Sequence, residues 1–147
     1  MKIEEEIKQT QFKSANQKAM INLLFTSNWL ISTQQHLFKP FGITAQQYNI
    51  LRILKGQHPQ MISATELKSR MLDKNSDVSR LLDRLIAKKL VDKKICPSDR
   101  RAADVFITEP GLQLLQVIQQ TLDEDNVLSL TAEEASQLSD LLDKCRG

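Results

Sequence analysis

Glycine and proline are scarce, four of each in 147 residues. Long helices are therefore easy to accommodate, and a many-stranded sandwich is not expected. Cysteine is almost absent. Cys96 and Cys145 make neither a disulfide framework nor a CxxC metal pair, and they suit reduced thiols in a cytoplasmic protein. No long hydrophobic run exists: the most apolar stretch, Ala19 to Leu37, is broken by Asn22, Asn28, Gln34, Gln35 and His36, so no membrane partner is expected. The opening MKIEEEIKQTQFK lacks the apolar stretch of a signal peptide. There is no Gly-rich phosphate loop, no GxSxG and no HExxH, and His36 and His58 have no cluster of further ligands around them. The chain is thus read as a non-enzyme without metal or cofactor. What remains is ordinary: 41% hydrophobic, 26% charged, net charge +2, and long enough for one domain with a real core.

What is present is helical periodicity. Residues 3 to 38 read as one long helix, apolar at Ile7, Ala15, Ala19, Leu23, Leu30, Leu37 and Phe38 and widened by Met20, Ile21, Leu24, Phe25, Trp29 and Ile31. So broad an apolar face needs more than one partner to cover it. Lys39-Pro40-Phe41-Gly42 ends that helix. Thr44 to Gln47 opens the next with a capping box, Tyr48, Leu51 and Leu54 give it a buried face, and Gly56 is expected to stop it. After a loop from Gln57 to Ile62, Ser63 to Glu66 reads as a second capping box before the short helix SATELKSRML, and a further helix starts near Ser76 with Val78, Leu81, Leu82, Leu85 and Ile86 at helical spacing. Leu90 to Cys96 and Val105 to Ile107 alternate like strands around Pro97-Ser98-Asp99-Arg100-Arg101, which predicts a two-stranded hairpin. Thr108 caps a helix with Pro110 in its first turn, and Thr131 to Glu134 is a third capping box.

The charge is not evenly spread. Glu66 to Asp104 holds eleven Lys or Arg against seven Asp or Glu, a surplus of four positive charges, while the rest of the chain is slightly acidic. The helix from Ser76 shows a polar face of Asp77, Ser79, Arg80, Asp83, Arg84 and Lys88. Asn75, Ser76, Asp77, Ser79 and Arg80 fill the N-terminal end, which enters the major groove when such a helix reads DNA. Arg80 has the forked donors that match a guanine edge, and Arg84, one turn on, suits a phosphate or an internal acid. Helix-face ion pairing accounts for these residues about as well when the helix is viewed alone. The hairpin favours DNA. Two adjacent arginines at a tight turn add nothing to folding and suit a narrow, strongly negative minor groove. Asp99 is placed to orient Arg101, with Arg100 beside it, and Lys93 and Lys94 to hold the flanking backbone.

In this segment the sequence resembles the MarR family of bacterial transcription regulators. The carrying residues are ITAQQYNILRIL, the ATEL helix, DVSRLLDRLIAKKLV, the wing PSDRR and the exit strand into ITEPG. The resemblance implies a mainly α fold: a winged helix-turn-helix core at 44–108 with a two-stranded β wing, flanked by dimerisation helices at 1–38 and 109–147. It implies a homodimer on a pseudopalindromic duplex, in the bacterial cytoplasm and at the nucleoid when DNA-bound. Ser76, Ser79 and Arg80 fall on the base-reading helix, and Asp99 and Arg101 on the wing pair. The chain departs from the pattern at Lys89, where the family usually has glycine, and at Pro110, where it usually has lysine. Members often respond to small aromatic acids or phenols, which makes Trp29, His36, Phe41 and Tyr48 candidate lining residues. Aromatic residues at helical spacing are more often plain core than ligand lining. Redox-sensing members carry their cysteine in the N-terminal helix, where this chain has none. The rival from another class is a winged helix that docks on a protein and never meets DNA; a large apolar patch along the presented helix would favour it.

Overall fold

The computed structural model runs α1 (Ile3–Glu6), α2 (Ala15–Phe38), a 3-10 turn at Lys39–Phe41, α3 (Ala45–Gln57), β1 (Ile62–Ser63), α4 (Ala64–Arg70), α5 (Val78–Ala87), β2 (Val91–Cys96), β3 (Asp99–Ile107), α6 (Glu109–Thr121), a 3-10 turn at Glu124–Asn126 and α7 (Ala132–Arg146). The structure describes the backbone throughout and every side chain except those of Cys96, Asp99, Arg100, Arg101 and Ala102. Each helix of seven or more residues starts at a side chain that accepts an otherwise free N–H: Ser14, Thr44, Ser63, Asp77, Thr108 and Thr131. At Thr44 and Thr131 the capping box is reciprocal. At Ser63 it is not, because the Glu66 carboxylate accepts from Arg70 instead.

The expected single helix over 3–38 is two helices. Lys8 has a φ of 55°, the chain leaves α1 there, and Ser14 starts α2 afresh by accepting from the Gln17 N–H. Between Ile7 and Ala15 only Phe12 is apolar, so little would anchor a continuous helix across that stretch. Ile3 is buried, and Lys18 bonds Glu4, which ties α1 back onto α2. Gly56 does not stop α3; the helix runs one residue further, to Gln57, ahead of Pro59.

The core is centred on α3, whose Ile50, Leu51 and Leu54 are completely or almost completely buried. Leu67 from α4, Leu82 and Leu85 from α5, Val91, Val105 and Ile107 from the sheet, and Leu115 and Ile118 from α6 close around it. Each such side chain contributes about 1.5–3 kcal/mol when fully buried. The sheet has three antiparallel strands in the order β1-β3-β2, not the expected two. Ile62 pairs with Val105 and Ser63 with Asp104. A two-residue strand is too short to show alternation, which is why the loop reading missed it.

The departure at Lys89 has a clear backbone reason. Its φ is 62°, the left-handed region that favours glycine. Around it the Lys89 N–H donates to the Ile86 carbonyl and the Leu90 N–H to the Leu85 carbonyl, the paired bonds that close a helix and turn it into a strand. Gly111 is required by close approach: a Cβ there would fall well inside contact distance of the Leu90 carbonyl oxygen and 2.7 Å from Ile107 Cγ1.

Candidate nucleic-acid interface

α5 is built to present one face. Val78, Leu81, Leu82 and Leu85 point into the core, at the 3- and 4-residue spacing of a helix. Ser79, Arg80, Asp83, Arg84 and Lys88 are left on the exposed side. Among the described residues, no exposed large hydrophobic lies on α5, so the apolar patch that would favour protein docking is absent there. Of the five arginines with described side chains, Arg52, Arg70 and Arg146 are in ion pairs, whereas Arg80 and Arg84 have no such partner among the described residues. Their donors are open to an external acceptor.

The turn before α5 corrects part of the expected site. Asp77 is the N-cap, its carboxylate accepting from the Arg80 N–H at 3.2 Å, so it organises the helix start. Ser76 is buried, 6% exposed, and its hydroxyl has no hydrogen-bond partner among the described residues; it does not stand on the presented surface. Asn75 is exposed, and its N–H donates to Asp73 Oδ1 at 2.9 Å. Lys93 and Lys94 are both exposed on β2, opposite Val105 and Asp104 respectively. Successive strand residues face opposite ways, so the two ammonium groups leave different faces and do not form one clamp. The expected contacts of Asp99, Arg100 and Arg101 lie outside the described side chains.

A cavity of about 1020 Å³ lies between α2, α3 and the turn that leads to α5. Ile31, Lys39, Ile43, Tyr48, Arg52 and Met71 are among its walls. Of the four aromatic or imidazole candidates only Tyr48 lines it. Trp29 lines a separate cavity beside α1, His36 is exposed, and Phe41 packs against the core. The four do not come together. The cavity wall also includes Leu72 and Asp73, and α3 holds both: Leu72 N–H donates to Asn49 Oδ1 at 2.9 Å, and Gln46 Nε2 donates to Asp73 Oδ2 at 3.2 Å.

At one edge of the cavity, Tyr48 Oη donates to Glu124 Oε1 at 2.7 Å. Arg52 Nη1 donates to Glu124 Oε1 at 3.1 Å and to Tyr48 Oη at 3.2 Å. Burial raises the Tyr48 phenol above its ordinary value, and the hydrogen bond to Glu124 adds to the shift. The Tyr48 hydrogen bond raises Arg52, keeping it protonated.

The MarR family profile matches residues 41–102. Over 109 residues the chain is 32% identical to the multiple antibiotic resistance protein MarR of Escherichia coli K12, covering 71% of this chain and 74% of that protein. The chain belongs to the MarR family. Its fold is that of solved members. It is similar to a MarR transcription factor from Planctomyces limnophilus, with a TM-score of 0.70, 31% identity, and coverage of 90% of this chain and 98% of that one. It is also similar to a mutant E. coli MarR in complex with operator DNA, at a TM-score of 0.68, 24% identity and 99% coverage of both chains.

The chain is a MarR-family transcription regulator, and the site expected from its sequence falls on α5 and the wing. Among the residues that reasoning from sequence passed over are Gln46, Asn49, Arg52 and Glu124. Arg52 lies one helical turn from Tyr48, a spacing visible in the sequence. Glu124, 72 residues further on, carries no local signal. Among the described residues no helix is long and apolar enough to cross a membrane, and no group of three His, Cys, Asp or Glu is placed to hold a metal.

Proposed function

We propose that the protein is a homodimeric repressor that binds a pseudopalindromic duplex through α5 and the wing, and that a small aromatic or phenolic ligand in the cavity beside Tyr48 modulates it. The exposed guanidinium groups of Arg80 and Arg84, without an ion-pair partner among the described residues, on an apolar-backed helix carry the reading. The family supports it, and so does the operator DNA bound by the structurally similar E. coli protein. Ser79 and Arg80 are assigned to base edges and Arg84 to phosphate, with Asn75 at the groove rim. From the sequence, Arg101 is assigned to the minor groove, set by Asp99 and with Arg100 beside it, and Lys93 or Lys94 to the flanking backbone.

The dimer is supported by what α2 and α7 leave uncovered. Met20, Leu24 and Ile31 on α2 and Leu138 and Leu141 on α7 are exposed, and α7 has no buried residue at all. A symmetric pair would set two α5 helices about one turn of DNA apart.

The test is fluorescence anisotropy on the duplex that lies upstream of the protein's own gene, across a salt series. Affinity is expected to fall steeply with salt as phosphate contacts release counterions. Arg80→Ala is expected to cost about 1–3 kcal/mol and to relax specificity at one position, whereas Arg84→Ala weakens all sequences alike. An affinity indifferent to salt and to Arg80 would overturn the reading.

A further inference from the structure

Five of the six capping residues share one backbone conformation. Ser14, Thr44, Ser63, Thr108 and Thr131 have ψ between 155° and 169°. Asp77 differs: its ψ is 86°, and its φ of −79° already lies in the helical range. The residue before it, Ser76, is of an equally favoured capping type. Its hydroxyl is nonetheless buried, with no hydrogen-bond partner among the described residues. A buried hydroxyl in that condition costs free energy until it is paired. α5 therefore begins with two adjacent capping side chains, one in use and one idle.

With Asp77 as the cap, its carboxylate accepts the Arg80 N–H and its carbonyl the Leu81 N–H. The Ser79 N–H is then one of the first-turn donors that no helical carbonyl reaches. With Ser76 as the cap, the helix gains Asp77. Ser76 Oγ then accepts the Ser79 N–H, the Ser76 carbonyl takes the Arg80 N–H, and the Asp77 carboxylate is released. Asp77 lies three residues before Arg80, within side-chain reach on a helix, and Arg80 has no ion pair among the described residues. A carboxylate behind an arginine fixes the plane of its fork, which a bidentate contact with guanine requires. That role also accounts for an acid at the groove-entering end of the helix, where phosphates oppose an unpaired carboxylate. The turn before α5 leaves room for the change. Leu72 and Asp73 are tied to α3 through Asn49 and Gln46, so the adjustment falls on Lys74, Asn75 and Ser76, of which the first two are exposed. We propose that Ser76 and Asp77 are alternative caps of α5, and that duplex DNA selects Ser76, which lengthens the helix by one residue and frees Asp77 to brace Arg80. This rests on the reading above that α5 reads a duplex. Ser76 is a positioning residue in it and touches no base.

The test is NMR on the full chain labelled with 13C and 15N, free and bound to the duplex upstream of its own gene. On adding duplex, the Asp77 Cα resonance is expected to move to its helical position, and exchange of the Ser79 amide with solvent to slow by about tenfold or more. Neither change is expected in the Ser76→Ala complex, because alanine is a poor cap. Ser76→Ala is also expected to be more stable than wild type in urea and yet to bind the duplex about tenfold more weakly. A residue that serves the fold alone would not move stability and affinity in opposite directions. Asp77→Asn still caps, so its stability is expected to hold, while its preference for the upstream duplex over an unrelated one falls several-fold. That loss is expected to vanish where Arg80 is already alanine, since the two act as one unit. An Asp77 Cα that stays put in a saturated complex overturns the cap exchange and leaves DNA reading by α5 standing. So does a Ser79 amide equally protected in the Ser76→Ala complex, or equal affinity of Ser76→Ala and wild type. A wild-type chain that binds no duplex at low salt overturns both.

Discussion

At the scale of single residues, the start of α5 separates two roles that look alike in the sequence. Ser76 and Asp77 are small polar residues at the mouth of a presented helix, and both suit a groove contact until burial is known. Ser76 is buried with a hydroxyl unanswered among the described residues, an arrangement that costs free energy. Ser76→Ala is therefore expected to stabilise the fold by about 1 kcal/mol in urea denaturation, and a clear loss of stability would contradict the buried placement. Asp77→Ala removes the cap and is expected to cost about 0.5–2 kcal/mol. Lys89 holds a left-handed backbone that glycine adopts freely, so Lys89→Gly is expected to gain about 1 kcal/mol. Unchanged or lower stability in the same denaturation series would contradict it.

At the scale of elements, legibility followed the kind of signal. Helices with a buried stripe and a polar cap, such as α3, α5 and α6, show in the sequence because spacing and capping are local. The break between α1 and α2 shows only faintly, in the thin apolar content between Ile7 and Ala15, because apolar residues flank it on both sides and the docking of Ile3 and Glu4 onto α2 completes it. β1 is hidden for a related reason: Ile62 is a strand residue only because Val105 lies across from it. The polar face of α5 was legible, while the Glu124 contact, made by a residue far along the chain, was not. The docking of α1 carries its own test. The hydrogen bond from Lys18, first among several causes, holds the Glu4 carboxyl below its ordinary value of 4.5. A depressed carboxyl contributes to the folded arrangement above that ordinary value and loses the contribution as pH falls below it. Trp29, the single tryptophan, shares a cavity wall with Ile3, Glu4 and Lys18. Its emission is expected to change on acidification below about pH 4.5, and Glu4→Gln to remove that step. The same titration in both proteins would show that the Glu4 bond does not hold α1.

At the scale of the whole molecule, the uncovered apolar surface decides what the chain needs. Scattered exposed hydrophobics are common, but here they fall in register. Met20, Leu24 and Ile31 are spaced four and seven residues apart on α2, and Leu138 and Leu141 three apart on α7, so each helix shows a stripe instead of isolated side chains. In a two-fold dimer a residue of that stripe is used twice, because both subunits offer the same surface. The substitution Leu141→Asp, at a residue 60% exposed in the single chain, would forfeit about 2 kcal/mol of apolar burial at each of two symmetric places. With the charge also to be desolvated, the dimer dissociation constant is expected to rise by about a thousandfold. Sedimentation equilibrium measures this directly. Because the single chain exposes Leu141 already, its stability in urea should scarcely change in the monomer, which separates lost association from lost folding. A monomer also makes about half the phosphate contacts of a dimer, so its DNA affinity should fall with salt at about half the slope. If the Leu141→Asp variant stays dimeric at the same concentration and keeps the same salt slope, α7 is not the surface that joins the subunits.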